Sequence, residues 1–281
     1  KMLSGNQRDD GTECGFGGCL YSRPADRNDG FLSLSPNIGL IRTLSNERSL
    51  FFNFSTGFRA PQATELYRLQ AQQDVGKINS EEIISTELGF RHQSKSLELE
   101  VVGFAMNKSD YILRDSEGLN ISDGESSHIG IETGLNWQIN DAWYFNLAAS
   151  FTQHEYRFTR NAGQGETIKK GNEVDTAPPL LGSARIGKDL SRGNIELEWV
   201  HNDDYFMDAG NTARYPGHDL INLRTHYDLS DEWSVALRLN NVTDEAYADR
   251  ADLLSVVDPA IYRYFPGRSR ELFVELIWVN D

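Results

Sequence analysis

Apolar and polar residues alternate along most of this chain. In Ser234–Asn240, Val235, Leu237 and Leu239 face one way, and Ser234, Ala236, Arg238 and Asn240 face the other. Side chains of a strand point to opposite faces with period two, so such a stretch has one oily and one wet face. The same beat places Leu50, Phe52, Phe54 and Phe58 against Asn53, Ser55 and Gly57. Ile129, Ile131, Leu135 and Trp137 oppose Glu132, Asn136 and Gln138, and Trp143, Phe145, Leu147, Ala149 and Phe151 oppose Tyr144, Asn146, Ala148 and Ser150. Ile195, Leu197 and Trp199 oppose Glu196 and Glu198, and Leu272, Val274, Leu276 and Trp278 oppose Glu271, Phe273 and Glu275.

This pattern predicts about 11 strands, near 31–42, 49–59, 81–93, 96–114, 120–139, 142–157, 179–189, 193–206, 218–229, 232–243 and 269–278. Their connections fall into two populations. Short ones, such as Leu44–Glu47, Gln93–Lys95, Asn140–Asp141, Asp189–Gly193 and Asp228–Asp231, carry the Asn, Asp, Ser and Gly of tight turns. Long ones cover 1–30, 60–80, 158–178, 203–217 and 244–268, with a smaller one at 115–119. Short and long strictly alternate. Oily strands with short turns at one end and long loops at the other describe an all-β, transmembrane antiparallel β-barrel of the outer-membrane type. Such barrels have even strand numbers, so an odd count points to further strands upstream.

Composition agrees. Mean hydropathy is −0.51, and no run approaches the roughly 18 apolar residues of a transmembrane helix. The formal net charge of −15 over 281 residues argues against nucleic acid, which binds basic patches. The opening Lys1–Gly5 has no signal-peptide character, and the chain starts in polar loop sequence, as a piece of a longer chain would. Cys14 and Cys19 bracket Gly15–Gly18. They read as a disulfide within one loop of an oxidising compartment, the alternative being two free thiols. Of the five tryptophans, Trp137, Trp143, Trp233 and Trp278 lie close to a short turn or the C-terminus, on one rim, where amphipathic rings meet headgroups.

No catalytic constellation emerges, and neither an enzyme nor a cofactor is expected. The histidines (His92, His128, His154, His201, His218 and His226) are scattered without metal-ligand spacing and read as rim or lumen residues. The glycine-rich Asn161–Glu166 lacks a phosphate loop's Lys-Ser/Thr ending and following helix. Asp203, Asp204, Asp208 and Asn211 share one loop, but not at the spacing of a known Ca²⁺ loop, so no metal site is assigned. The wet-face acids Glu98, Glu100, Glu132, Glu196 and Glu198 suit lumen water, since they would be costly toward lipid.

Four segments carry a family likeness. They are Gly57–Tyr67 (GFRAPQATELY), Ile83–Arg91 (IISTELGFR), Leu239–Tyr247 (LNNVTDEAY) and Phe265–Phe273 (FPGRSRELF). In this order and at these spacings the chain resembles the barrel of TonB-dependent outer-membrane receptors, from about residue 31 onward. The resemblance implies a barrel of about 22 strands, of which residues 1–281 would be the C-terminal portion, with 1–30 an extracellular loop. It implies a plug domain and a TonB-contacting box, neither visible here, and Trp278 as the aromatic residue near the C-terminus that assembly reads. It further implies TonB-energised uptake of a scarce nutrient, most often a ferric siderophore or similar metal chelate, with the TonB complex, the chelate and outer-membrane lipid as partners. Cargo would bind outer loops and upper lumen walls. Arginine and tyrosine suit large anionic chelates through charge-assisted hydrogen bonds and stacking. The candidates are Arg59, Tyr67 and Arg68 in one loop, and Tyr247, Arg250, Tyr262 and Arg263 in another. The rival readings are a passive porin-like channel and a soluble β-sandwich binding module. The oily faces at 49–59 and 142–151 argue against the sandwich.

Overall fold

The computed structural model describes residues 28–70, 73–74, 76–115, 118–255 and 260–279, without the side chains of Gln164 and Ser255. Cys14 and Cys19 lie outside the described residues, and with them the expected disulfide. The first strands are β1 (Asn37–Ser45) and β2 (Arg48–Arg59), followed by a one-turn helix α1 (Ala63–Leu66). Next come β3 (Glu81–Gln93), β4 (Leu97–Arg114), β5 (Asn120–Gln138) and β6 (Trp143–Tyr156). A small hairpin of β7 (Arg160–Asn161) and β8 (Thr167–Ile168) precedes β9 (Leu180–Leu190) and β10 (Gly193–Asn202). The hairpin β11 (Tyr205–Phe206) and β12 (Arg214–Tyr215) precedes β13 (His218–Asp228) and β14 (Trp233–Asn240). The hairpin β15 (Ala248–Ser255) and β16 (Ile261–Pro266) precedes β17 (Glu271–Trp278).

Eleven of these strands form one antiparallel sheet in the order β1-β2-β3-β4-β5-β6-β9-β10-β13-β14-β17. Every neighbour in the sheet is the next long strand in sequence, which is an up-and-down meander. The expected strands are all present, with ends shifted by a few residues. The largest shift is at β1, which starts at Asn37 because Pro36 has no N–H to enter the ladder. β10 stops at Asn202, because the chain from Tyr205 on pairs with its own loop instead. β14 stops at Asn240, where Asn241 takes φ +50° and its amide oxygen accepts the Glu245 N–H at 2.8 Å. The loop expected at 244–268 contains the hairpin β15–β16, and the expectation of plain loop there missed alternation too short and too polar to register as wall.

Polar side chains close the short turns. Asn140 Oδ1 accepts the Ala142 and Trp143 N–H groups at 3.0 and 3.1 Å. Ser230 Oγ accepts the Trp233 N–H at 3.1 Å, and Ser94 Oγ accepts the Leu97 N–H at 3.1 Å. Each satisfies donors that a two-strand end leaves orphaned.

Register puts the oily residues on one face throughout. Phe52 sits opposite Leu88, Ile131 opposite Phe151, and Leu237 opposite Val274. These large apolar side chains are exposed, Leu88 and Val274 each at 62%. On β5 the oily run extends from Ile129 to Trp137, beyond which Ser127 and Glu125 share the face. About nine residues tilted by roughly 40° rise about 23 Å, close to the roughly 25 Å apolar band of outer-membrane barrels. The opposite face is wet and cross-linked. Arg224 donates to Glu196 at 3.0 Å and to Glu198 at 2.7 Å. Glu198 also accepts from Arg185 at 2.8 Å and from Asn222 at 2.9 Å, and the Tyr144 hydroxyl donates to Glu196 at 3.0 Å.

Glycine is required at the turn between β9 and β10. Gly193 has φ +152°, and a Cβ there would lie 2.0 Å from the His226 carbonyl oxygen. Gly134, on the wet face of β5, meets nothing within 4 Å. In the full-length protein, Gly193→Ala is therefore expected to cost about 1–3 kcal/mol, and Gly134→Ala less than about 0.5 kcal/mol. Urea unfolding from lipid bilayers, followed by tryptophan fluorescence, checks the difference.

Candidate functional site

The buried cores of this chain lie in its loops, not its wall. One cluster joins Tyr205, Met207, Tyr215, Ala248 and Ala251, with Ala213 and Tyr262 packed against it. The other joins Tyr156, Ala162, Ile168 and Ala209, with Leu113, Phe158 and Val174. All sit at the long-loop end of the sheet. Burying apolar surface where the strands have left the oily band gives the loops a roof of their own.

Hydrogen bonds join neighbouring loops in a chain of contacts. Gln73 donates to the Asn120 carbonyl at 2.9 Å and accepts the Asn120 N–H at 2.8 Å, tying 60–80 to the start of β5. Asp115 and Ala162 form a bridge, and Arg160 pairs with Asp115 and Asp123, tying 115–119 to 157–179. That loop is held to 203–217 by Asn211, which accepts the Glu173 N–H at 2.7 Å and donates to its carbonyl at 2.9 Å. The Ala209 N–H donates to Glu166 at 2.8 Å. The last link uses tyrosines: the Ala248 N–H donates to the Tyr215 hydroxyl at 3.0 Å, and the Ala251 N–H to that of Tyr205 at 2.8 Å.

The sequence-derived candidates fall into two groups within this roof. In the first, Arg59 is held by Glu65 at 2.9 Å and Glu81 at 2.8 Å. The Tyr67 hydroxyl donates to Asp29 at 3.0 Å, and Arg68 donates to the neutral Gln70 at 2.7 and 2.9 Å. In the second, Arg263 and Arg250 converge on one buried carboxylate, Asp252, at 2.7 and 2.8 Å. The Arg263 guanidinium holds the Asp252 carboxyl below the usual carboxylate range. Tyr262 packs on the Tyr205–Tyr215 cluster, its hydroxyl 3.4 Å from that of Thr212. Tyr247 lies against His218, ring centroids 4.5 Å apart, and covers Gly267. Arg59 is thus neutralised by carboxylates, Arg250 and Arg263 share the single charge of Asp252, and the partner of Arg68 among the described residues is the neutral Gln70.

The oxygen-rich loop 203–217 spends its carboxylates on its own backbone and on neighbouring loops. Asp208 accepts the Thr212 N–H at 2.9 Å and the Ala213 N–H at 2.8 Å, and Asp204 pairs with Arg214. Among the described residues no three His, Cys, Asp or Glu side chains converge as metal ligands. Two features escaped sequence reasoning. One is the acidic knot of Glu166, Asp175 and Asp208 between loops, which only tertiary packing assembles. The other is a pair of histidines, His128 and His154, directly opposite each other across β5 and β6. Both stand 13 residues from Asp141, the centre of the β5–β6 ladder, but counting from Asn140–Asp141 as a two-residue turn pairs His128 with Gln153 on the other face. On the wet face below, a groove of about 580 Å³ runs past Glu100, Glu132, Ser150 and Ser183.

A meander with its oily band outward, ion pairs on the other face and a packed roof of long loops is the wall of a receptor-type β-barrel. Residues 6–242 match the family model described as TonB dependent receptor-like, beta-barrel, and the chain belongs to that family. Its members are receptors rather than enzymes. The chain is 26% identical, over 136 residues, to the probable TonB-dependent siderophore receptor PiuA of Acinetobacter baumannii, covering 46% of this chain and 18% of that protein. Its fold is that of the crystal structure of the siderophore receptor PiuA from Acinetobacter baumannii, with TM-score 0.72 and 18% identity over 86% of this chain and 35% of that one. The ferric yersiniabactin uptake receptor FyuA from Yersinia pestis gives TM-score 0.70 and 13% identity over 86% of this chain and 36% of that one. The chain thus spans about a third of the solved receptors and a smaller part of the curated relative.

The acidic knot makes the roof pH-sensitive. Burial pushes the Glu166 carboxyl up to about 7 from an ordinary 4.5, the Ala209 N–H opposes this, and the charges of Asp175 and Asp208 add to it. Between those values the folded loop holds a proton that the opened loop releases. The contribution is complete below about 4.5 and is lost as pH rises through about 7. Hydrogen exchange at the Ala209 amide, corrected for its intrinsic pH dependence, should lose about tenfold in protection between pH 5 and 8. Glu166→Gln should flatten that slope; an unchanged slope in the variant would contradict the assignment.

Proposed function

We propose that this chain is the C-terminal portion of the barrel of an outer-membrane receptor that takes up a ferric siderophore or a similar metal chelate. The observation that carries the reading is the open sheet. Its edge strands β1 and β17 have no further partner among the described residues. Unpaired backbone groups are not tolerated in hydrocarbon, so a wall with this oily face needs further strands to close it. A barrel of about 22 strands would take the eleven described here as half its wall. The relatives described above, siderophore and ferric-chelate receptors, support metal chelates as the cargo class.

In this reading the chain crosses the outer membrane many times, with its short turns in the periplasm and its roof outside. The wet face encloses a plug, and the TonB complex of the inner membrane acts on that plug to release cargo inward. Binding is passive, and no covalent step occurs. Cargo is met by Arg68 and Tyr67 on one side of the mouth and by Tyr247, Arg250, Tyr262 and Arg263 on the other. Arg68, held by the neutral Gln70, and the Arg250–Arg263 pair, which exceeds Asp252 by one positive charge, are the anion contacts. Arg59 orders its loop through Glu65 and Glu81.

The test is uptake of ⁵⁵Fe, supplied as a panel of catecholate, hydroxamate and citrate chelates, by cells producing the full-length protein. The expected result is saturable uptake of one class, abolished by a protonophore. Arg68→Ala should weaken binding of that chelate by about tenfold or more, the value of a charge-assisted hydrogen bond. Energy-independent flux of small uncharged solutes would instead identify a passive channel, and protein found in the soluble fraction would identify a β-sandwich module.

A further inference from the structure

On the wet face, near the long-loop end of the wall, one row of the sheet reads Ser85, Met106, His128, His154 across β3, β4, β5 and β6. The two imidazoles meet edge to face, centroids 5.0 Å apart, with Nδ1 atoms separated by 2.7 Å. His128 Nε2 lies 3.0 Å from Ser126 Oγ. His154 is fixed from behind, where its carbonyl accepts the Val174 N–H at 3.0 Å. Ser85 Oγ, beyond Met106 in the row, is buried with no hydrogen-bond partner among the described residues. We propose that His128, His154 and Met106 form a binding site for monovalent copper in the upper lumen wall.

The geometry supplies the ligands. At 2.7 Å, one Nδ1–H donates to the other Nδ1, so a single proton occupies the place between two lone pairs. If His128 shifts that proton to its Nε2, the new N–H donates to Ser126 Oγ, and both Nδ1 lone pairs face the gap. No net proton is released. With metal–imidazole bonds of about 2.0 Å in a trigonal arrangement, the two nitrogens part to about 3.5 Å, which ring rotation provides. Met106 is the cross-strand neighbour of His128, where Cβ atoms are about 4.5–5.5 Å apart. Its flexible side chain can bring the thioether into the third position.

The chemistry selects the ion. Two imidazoles suit Zn²⁺ and copper alike, and the soft thioether in the third position favours Cu(I). The row contains no carboxylate. Lys108 lies on the same face of β4 two residues beyond Met106, bound to Glu81 at 3.1 Å. A positive neighbour disfavours a divalent ion more than a monovalent one. The inference rests on the ladder register and is independent of the cargo reading above.

The experiment is a Cu(I) titration of the full-length protein in detergent under anaerobic reducing conditions, with bicinchoninate as competitor. Cys14→Ser/Cys19→Ser serves as the background, so that thiols do not contribute. One equivalent of Cu(I) should outcompete the chelator, and copper K-edge absorption should show two nitrogen neighbours and one sulfur. His128→Asn/His154→Gln should lose that equivalent by at least 100-fold. Met106→Leu should weaken it about tenfold and remove the sulfur shell, with heat-modifiable migration on gels unchanged in both. Failure of the background protein to hold Cu(I), wild-type affinity in the double histidine variant, a spectrum without sulfur, or preference for Zn²⁺ would each overturn the assignment.

Discussion

A strand in hydrocarbon must give every N–H and C=O to a neighbouring strand, and the rest of this molecule follows from that constraint. It explains why eleven strands run as an unbroken meander, each paired with the next long strand in sequence. The same constraint makes the wall nearly coreless. Its large apolar side chains, from Leu50 to Leu276, point outward and stay exposed in the isolated chain. In a water-soluble sheet protein those faces would be packed against a second layer. Here the membrane is the second layer, and the wet side is stabilised by ion pairs such as Arg224 with Glu196 and Glu198.

The loops obey the opposite rule. Beyond the oily band the chain is back in water, and there it buries tyrosines, alanines and Met207 as a soluble protein does. Tyrosine is well suited to the task. The rings of Tyr205 and Tyr215 fill the core, while their hydroxyls accept N–H groups of β15. Neighbouring loops are thereby linked in series, so that a ligand ordering one of them changes the constraints on the next. The arginines expected to meet cargo take part in this order. Arg59, Arg250 and Arg263 hold loop carboxylates, and positive charge is left over at Arg68 and at the Arg250–Arg263 pair, which shares Asp252.

The wall was legible in the sequence because one period repeats in every strand and one turn chemistry closes each short end. β3 and its neighbours fall within a residue or two of where alternation places them. What alternation could not show is structure made by contacts between loops. The hairpin β15–β16 is held partly by Tyr205 and Tyr215 from another loop, and its own sequence, with Asp249, Asp252 and Arg263, does not announce a strand. Arg250 and Arg263 were legible as cations but not as partners of one Asp252. His128 and His154 looked scattered because they are 26 residues apart in sequence, yet the Asn140 turn brings them face to face.

Period-two exposure of the wall is the central claim, and spin labels test it most directly. Single cysteines replacing Ile131, Glu132, Thr133 and Gly134 on a Cys14→Ser/Cys19→Ser background of the full-length protein, labelled and reconstituted in lipid, would be read by collision with oxygen and with a water-soluble nickel chelate. The account predicts alternation, with oxygen dominating at 131 and 133 and the nickel chelate at 132 and 134. Equal accessibility to the nickel chelate at all four positions would contradict it.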